Sequence, residues 1–239
     1  MVEIDVLTLF PEAFAWFCRQ RHVANALAAG SRLTPVDLRM TTPLSAGQVD
    51  DTPFGGGAGM VMRPDVADAA LAAVADGRPL VCLSPRGRPF TQAHARRYAA
   101  GAGVILLCGR YEGVDQRVVE ARGMEEVSIG DFVLSGGELP AMAVLDAAVR
   151  LLSGVMGATA SAEEESFATG LLEYSQFTRP AEWQGRRVPE VLLSGHHAAV
   201  AAWRRAEAER ITRERRPDLW DAYMLGGGPP PVASGKAAP

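Results

Sequence analysis

The chain has 239 residues, of which 48% are hydrophobic and 22% are charged, a composition typical of globular proteins with one or two domains. Its formal net charge of −4 gives no general signature of nucleic-acid binding, and no apolar run is long enough to predict a membrane span. The acidic start MVEIDVLTLF lacks the basic region of a signal peptide, and three widely spaced cysteines predict neither a disulfide framework nor a zinc site. We therefore expect a cytoplasmic protein with reduced thiols.

Strand-like and helix-like segments alternate over residues 1–156. Several of the strand-like segments are short, continuous apolar runs, which are typical of buried parallel strands. The alternation predicts an α/β domain with a mainly parallel sheet. The predicted strands are 2–9, 34–40, 80–83, 104–107 and 127–129, and the predicted helices are 11–29, 65–74, 91–99, 115–121 and 140–152.

The predicted helix 140–152 is apolar nearly all round, with stripes that contain Leu145 and Val144. Such a helix must be buried on most sides, either in the core or in a dimer interface. Arg150 is its one cation. From the residues alone, Arg150 fits either an ion pair with Asp146 or the stabilisation of a developing oxyanion.

The C-terminal third differs in composition. Residues 157–169 are small, acidic and aperiodic, which predicts a mobile linker, and 226–239 form a Gly/Pro-rich tail that is predicted to be disordered. Residues 170–225 form a predicted helical domain with a long helix at 197–215. Between 179 and 216, nine arginines face five glutamates. This surplus fits either a phosphate-binding surface or a solvated helix with salt bridges.

Three glycine-containing segments, at 83–87, 109–113 and 129–137, lie at the ends of predicted strands. Glycine at a strand end permits close approach of the backbone to a ligand. Because the carboxyl ends of parallel strands meet at one edge of a sheet, the segments predict a small-molecule pocket lined by main-chain groups. Each segment taken singly also fits an ordinary sheet-to-helix turn. The run GGGAG at 55–59 meets neither the P-loop nor the Rossmann pattern and is typical of a flexible turn.

Six segments, in this order along the chain, resemble those of the bacterial tRNA (guanine-N1) methyltransferase family, which are knotted (SPOUT-type) RNA methyltransferases. The resemblance implies a deep trefoil knot in the S-adenosylmethionine-binding domain 1–156 and methylation of N1 of guanine 37, next to the anticodon of tRNA. It also implies a homodimer with a composite active site and a tRNA-binding domain at 170–225. The segments are DDTPFGGGAGMVM at 50–62, LSPRGRPFTQ at 83–92, LLCGRYEGVDQRV at 106–118, VSIGDFVLSGGELPAM at 127–142, SFATGLLEYSQFTRP at 166–180 and VPEVLLSGHHAAVAAWRR at 188–205.

The resemblance also implies the residues that surround the cofactor. Phe132 replaces the tyrosine usual in the family, which is compatible with a backbone contact but not with a hydroxyl hydrogen bond. Magnesium is implied as a further cofactor, with Glu112 as a contact to the metal or to guanine, although no set of metal ligands is predicted. The implied cofactor-binding residues are Leu83, Ser84, Pro85, Gly109, Tyr111, Glu112, Gly113, Ser128, Ile129, Gly130, Asp131, Phe132, Val133, Leu134, Gly136, Gly137 and Pro140.

Two catalytic residues follow from the resemblance. Arg150 would stabilise negative charge on the guanine O6, and Glu165 would remove the N1 proton. The family has an aspartate directly before Ser166-Phe167, where this chain has Glu165. The extra methylene moves the carboxylate by about 1 Å, enough to affect a positioned base. Two other functions stay open: a related knotted methyltransferase with another target base, and a non-catalytic RNA-binding module.

Overall fold

A computed structural model describes residues 1–156 and 165–226. These two stretches belong to separate compact units. The linker residues 157–164, which include Glu163 and Glu164, lie outside the described residues, as does the tail from 227 to 239. The predictions for these segments are not addressed by the structure.

The first unit is built around a parallel sheet. Its strands are β1 (Glu3–Thr8), β2 (Arg32–Asp37), β3 (Asp50–Asp51), β4 (Val61–Met62), β5 (Leu80–Pro89), β6 (Gly103–Cys108) and β7 (Glu125–Ser128). Its helices are α1 (Phe14–Phe17), α2 (Arg21–Ala28), α3 (Leu38–Thr41), α4 (Pro64–Val74), α5 (Gln92–Ala100), α6 (Gln116–Ala121) and α7 (Glu138–Val149), with 3-10 turns at Pro11–Ala13 and Ser45–Gly47. Five strands pair in parallel in the order β2-β1-β6-β5-β7, and β3 pairs antiparallel with β4. The predicted α/β class with a mainly parallel sheet is confirmed.

Strand β6 lies at the centre of the sheet, and all of its residues are buried. Successive residues of a strand face opposite sides of the sheet. Leu106 accordingly belongs to a core cluster with Leu145 of α7, whereas Leu107 belongs to a second cluster with Leu71 of α4. Because the sheet is covered on both faces, its central strand is apolar throughout rather than alternating.

Several predicted elements were wrong in their extent; the strand predicted at 80–83, for example, continues to Pro89. The predicted helix 11–29 is divided into the first 3-10 turn, α1 and α2, because Gln20 is extended (ψ 136°) and redirects the chain. This break allows Phe14 of α1 and Val23 of α2 both to enter the core. The predicted strand 34–40 ends at Asp37, whose carboxylate accepts a hydrogen bond from the Arg39 N–H at 2.9 Å and caps α3.

Helix α7 begins two residues before the predicted start and ends at Val149, with Arg150 as its C-cap. Val144 and Leu145 are fully buried in the core of their own unit. Of the two predicted locations, core or dimer interface, the face with Val144 and Leu145 therefore lies in the core. Leu139, in the first turn, remains 64% exposed.

The second unit is mainly helical. Its elements are β8 (Glu182–Trp183), β9 (Arg186–Arg187), α8 (Glu190–Leu193), α9 (His197–Arg215) and α10 (Pro217–Met224). The predicted helix 197–215 is confirmed in both bounds. Thr212 is buried inside α9, where its Oγ1 accepts a hydrogen bond from the Leu172 N–H at 2.8 Å. Among the helices of both described units, none is long and apolar enough to cross a membrane.

Candidate active site

A cleft of about 240 Å³ opens beside an irregularity within β5 and at the carboxyl ends of β6 and β7. This edge is where ligands bind in open α/β sheets. Every predicted cofactor-binding residue except the exposed Asp131 lines the cleft. Sequence reasoning missed several further lining residues, which are Cys82, Arg86, Arg110, Val114, Val119, Glu126, Val127 and Ser135.

One wall of the cleft is a loop that interrupts β5. Leu83 and Arg88 both pair with Val127 of β7, so the four residues between them are extruded from the sheet. At Gly87 the two backbones come so close that a Cβ would overlap the main chain of Val127. Glycine is therefore required here by the protein's own backbone, and the extruded loop, with Ser84, faces the cleft.

A second wall, residues 109–113, is held by β4. The Met62 N–H donates to the Gly113 carbonyl at 2.9 Å, and the Glu112 N–H donates to the Met60 carbonyl at 2.9 Å. Tyr111 lies in the left-handed region with φ 58°, a conformation that costs a non-glycine residue about 1 kcal/mol or more. The Glu112 side chain lies against Gly59, so the loop 55–59 adjoins this wall.

The third wall, residues 129–137, leaves β7 and returns to the end of β6. The Gly137 N–H donates to the Gly109 carbonyl at 2.9 Å, and Arg110 and Gly136 form an antiparallel bridge. A Cβ at Gly137 would lie 2.6 Å from the Cα of Cys108. The sequence predicted that Gly137 allows a ligand to approach the backbone. In the structure, the backbone that approaches Gly137 is the protein's own.

The cations of the cleft are held by neighbouring side chains. Arg86 donates to Gln116 at 3.1 Å and to Glu126 at 3.2 Å. Arg110 Nη2 lies 2.8 Å from Glu138 Oε2. Burial raises the pKa of the Cys82 thiol to about 12. This thiol is therefore neutral near pH 7 and is not suited to act as a nucleophile.

The two predicted catalytic residues belong to different units, and neither is among the described residues that line the cleft. Arg150 is half-buried at the C-cap of α7. The carboxylate of Asp146, its proposed ion-pair partner, lies 2.6 Å from His22 Nε2. Glu165 begins the second described stretch, directly before a turn in which Ser166 Oγ accepts the Glu173 N–H at 3.0 Å.

The arginine-rich part of the second unit contains many ion pairs. Arg210 lies 2.8 Å from Glu207 and 2.7 Å from Glu214. The hydrogen bond from Arg210 lowers the pKa of Glu207 to about 2. Further pairs join Arg205 to Glu209, Arg216 to Asp218 and Arg187 to Glu182. For these arginines, the prediction of a solvated helix with salt bridges therefore describes the structure better than the prediction of free phosphate-binding cations.

Other arginines of the same unit are available for contacts with anions. Arg186 and Arg215 are exposed, and no acid within the described part of the chain forms an ion pair with either of them. Arg213 lies over the ring of Trp220 at 5.9 Å. The surface therefore combines arginines in short ion pairs with exposed arginines outside such pairs.

The described residues include no group of three or more His, Cys, Asp or Glu side chains that could hold a metal ion. Glu112 enters the cleft without such neighbours. The described side chains around the cleft therefore do not supply the several oxygen ligands that a magnesium site made only of protein groups requires.

Comparison with known proteins identifies related sequences. The sequence profile of the family described as tRNA (Guanine-1)-methyltransferase TrmD matches residues 2–222. Relatives named tRNA (guanine-N(1)-)-methyltransferase from Brucella ovis and Brucella melitensis are each 56% identical over 220 residues, which cover 92% of this chain and 91% of each relative. A relative of the same name from Brucella suis is 56% identical over 220 residues and covers 92% of this chain and 90% of its own length.

Proposed function

The chain belongs to the tRNA (guanine-N1) methyltransferase family, and from this premise we propose that it methylates N1 of guanine 37 in tRNA with S-adenosylmethionine as donor. The observation that carries the proposal is the cleft beside the irregularity within β5 and at the ends of β6 and β7. It brings together three sequence-distant segments, each of which presents main-chain groups. A cytoplasmic location and the trefoil knot, both implied by family membership, are part of the proposal.

The cleft suits a cofactor that has an adenine edge and an amino-acid tail. Leu83, Gly109 and Ile129 line its walls, and we assign main-chain hydrogen bonds with the cofactor to these segments, while Leu134 and Pro140 provide apolar contacts. Pockets for small molecules combine mainly apolar walls with a few placed polar groups. When bound, S-adenosylmethionine supplies the activated methyl group, so the tasks left to the protein are orientation and proton removal.

Proton removal from guanine N1 is assigned to Glu165. The N1–H must lose its proton as the N1–methyl bond forms, and a positioned carboxylate can accept it. The turn at Ser166 fixes the start of this segment. Arg150 stabilises the negative charge that develops on O6, since a guanidinium offers several donors in a fixed plane. No step is assigned to magnesium.

A homodimer completes the proposal. Arg150 and Glu165 belong to different units of one chain, and we assign the complete active site to residues from two subunits. Val133, which lines the cleft, and Leu139, in the first turn of α7, are 82% and 64% exposed, and we assign both side chains to the contact between subunits. Sedimentation that finds a fully active monomer at assay concentration would contradict the dimer.

The second unit is assigned to tRNA binding. Exposed cations such as Arg186 and Arg215 neutralise phosphates without reading sequence. Paired arginines such as Arg210 already have carboxylate partners within the helix. The proposed surface therefore depends on a subset of the nine arginines rather than on the total.

The experiment that tests the function is transfer of a labelled methyl group to tRNA transcripts that differ only around the anticodon. We expect label in transcripts with guanine at position 37 and none when that base is replaced. Label in the replaced transcripts indicates a related methyltransferase with another target. Cofactor binding without any transfer indicates a non-catalytic RNA-binding module.

A further inference from the structure

We propose that Glu138 is a positioning residue, which holds Arg110 across two walls of the cleft and thereby keeps the cofactor site in shape. The inference rests on the proposed function, because it concerns the same cleft. Neither Glu138 nor its second partner, Thr8, is among the described residues that line the cleft. We assign the effect of these two residues on the cofactor to Arg110, which does line the cleft.

Glu138 is a buried carboxylate at the first position of α7, and only 4% of its surface is exposed. Both of its oxygens have a defined neighbour: Thr8 Oγ1 donates to Oε1 at 2.7 Å, and Arg110 Nη2 lies 2.8 Å from Oε2. Thr8 Oγ1 also accepts the Phe10 N–H at 2.9 Å, which directs its own proton toward Glu138. A buried charge requires such partners, and the helix N-terminus further favours an anion.

Arg110 connects this carboxylate to the cleft. Its Nη1 donates to the Ser135 carbonyl at 3.2 Å, and its guanidinium carbon lies 4.3 Å from the centre of the Phe10 ring. The main chain adds the bridge between Arg110 and Gly136. One side chain thus links the wall 109–113 to the wall 129–137 while its charge is balanced by Glu138.

The wall that Arg110 holds has little core contact of its own. Phe132, Val133 and Leu134 are 53%, 82% and 40% exposed. Segments with few buried contacts open at a low free-energy cost unless specific bonds hold them. We therefore assign to Glu138 and Arg110 the task of limiting the motion of this wall before the cofactor binds, which reduces the ordering cost of binding.

The test compares Glu138→Gln with a matched variant, Asp5→Asn. Asp5 is also a buried carboxylate of this unit, 8% exposed, and it lies 2.5 Å from Arg78 Nη2, but neither of these residues lines the cleft. Both variants remove the charge of a buried carboxylate that lies beside an arginine. Each protein is examined by thermal unfolding, by calorimetry with S-adenosylmethionine, and by steady-state methylation.

We expect both variants to unfold at a lower temperature, because each removes the charge of a buried carboxylate that has an arginine neighbour. The loss should be smaller for Asp5→Asn, because Arg78 keeps Asp76 as a second partner. Only Glu138→Gln should weaken S-adenosylmethionine binding, with Kd and the KM for cofactor raised roughly 10- to 100-fold. Its kcat at saturating cofactor should change much less than its KM. For each variant, the loss of cofactor affinity is compared with the loss of unfolding temperature. If this ratio is the same in both variants, Glu138 has a merely structural role and the proposal is overturned.

Arg110→Lys keeps the inference testable if Glu138→Gln does not fold. Lysine keeps the charge but lacks the planar fork that reaches both Glu138 and Ser135. We expect a small change in unfolding temperature together with a clear rise in the KM for cofactor. A folded Arg110→Lys protein with unchanged KM contradicts the proposal. The unsubstituted protein is measured first, and failure of that protein to bind S-adenosylmethionine overturns the proposed function itself.

Discussion

The cleft of the first unit and the arginine-rich surface of the second unit are built by different means. The cleft consists mainly of backbone at strand ends, and its glycines are required where two stretches of main chain touch, as at Gly87 and Gly137. The surface consists of long side chains on β9 and α9, many of them in ion pairs. Substitutions in the cleft should therefore act through geometry, and substitutions on the surface should act through charge. The two regions are expected to respond differently to salt.

The largest effect is expected at Glu165, the proposed base, which belongs to neither binding region. Glu165→Gln should lower single-turnover methylation by about 10²- to 10⁴-fold, because a positioned base contributes a factor of that size. Cofactor affinity, measured by calorimetry, should be nearly unchanged. Glu163→Gln and Glu164→Gln serve as controls and should have much smaller effects.

Glu165→Asp sharpens this prediction, because it restores the residue that the family has at this position. We expect it to keep or raise the rate. If Glu165→Gln retains most of the rate instead, the base lies elsewhere, and Asp131 and Glu112 are the next carboxylates to test.

A second prediction concerns the geometric character of the cleft. Gly137→Ala should lower the free energy of unfolding by about 1–3 kcal/mol, because the new Cβ overlaps the backbone of Cys108 and the core must shift. Gly109→Ala is the matched control, since its Cβ would meet the Leu83 carbonyl at an ordinary 3.5 Å. Denaturant unfolding measures both. Equal losses would show that close backbone contact does not explain Gly137.

The third prediction concerns the charged surface. Replacement of Arg186 and Arg215 by alanine should weaken tRNA binding and reduce the slope of log affinity against log salt by about one unit for each phosphate that is no longer neutralised. Arg210→Ala is the control, because Arg210 already pairs with Glu207 and Glu214. Arg216, which pairs with Asp218, is for the same reason a poor choice for this test. If Arg210→Ala reduces the slope more than the variant that lacks both Arg186 and Arg215, the distinction between paired and exposed arginines is wrong.

The smallest effect is a pH dependence within the second unit. The pKa of Glu207 is lowered to about 2 from its ordinary 4.5, chiefly by the hydrogen bond from Arg210. A lowered pKa means that the carboxylate stabilises the fold above pH 4.5 and that this contribution disappears as pH falls toward 2. Glu207→Gln should therefore flatten the acid limb of an unfolding profile. If Glu207→Gln and the unsubstituted protein lose stability in the same way at low pH, groups other than Glu207 cause the acid destabilisation.

The sequence predicted the parts of the molecule that depend on local pattern. Apolar runs and strand-end glycines are local signals, so the parallel strands and the position of the cleft followed from them. The long helix 197–215 followed from its composition. The break at Gln20 was not predictable in this way, because it depends on how Phe14 and Val23 reach one core.

The side-chain network of the cleft was also missed, for a physical reason. Thr8, Arg110 and Glu138 are far apart in the sequence and meet only when β1, β6 and α7 assemble. One signal was available: Glu138 is an acid at the start of a mainly apolar helix, directly after Gly137. Such a residue must either face solvent or find a buried cation. The catalytic assignments depended on family resemblance, since three consecutive glutamates alone predict only a solvated loop.

The most direct test of the central claim identifies the atom that receives the methyl group. Unmodified tRNA transcripts with guanine at position 37 are methylated by the protein, digested to nucleosides, and analysed by chromatography and mass spectrometry against standards. We expect 1-methylguanosine as the product, because in the proposed mechanism Glu165 removes the N1 proton and Arg150 stabilises the charge on O6. Methylation at another atom of guanine, or on another base, would contradict the proposed function.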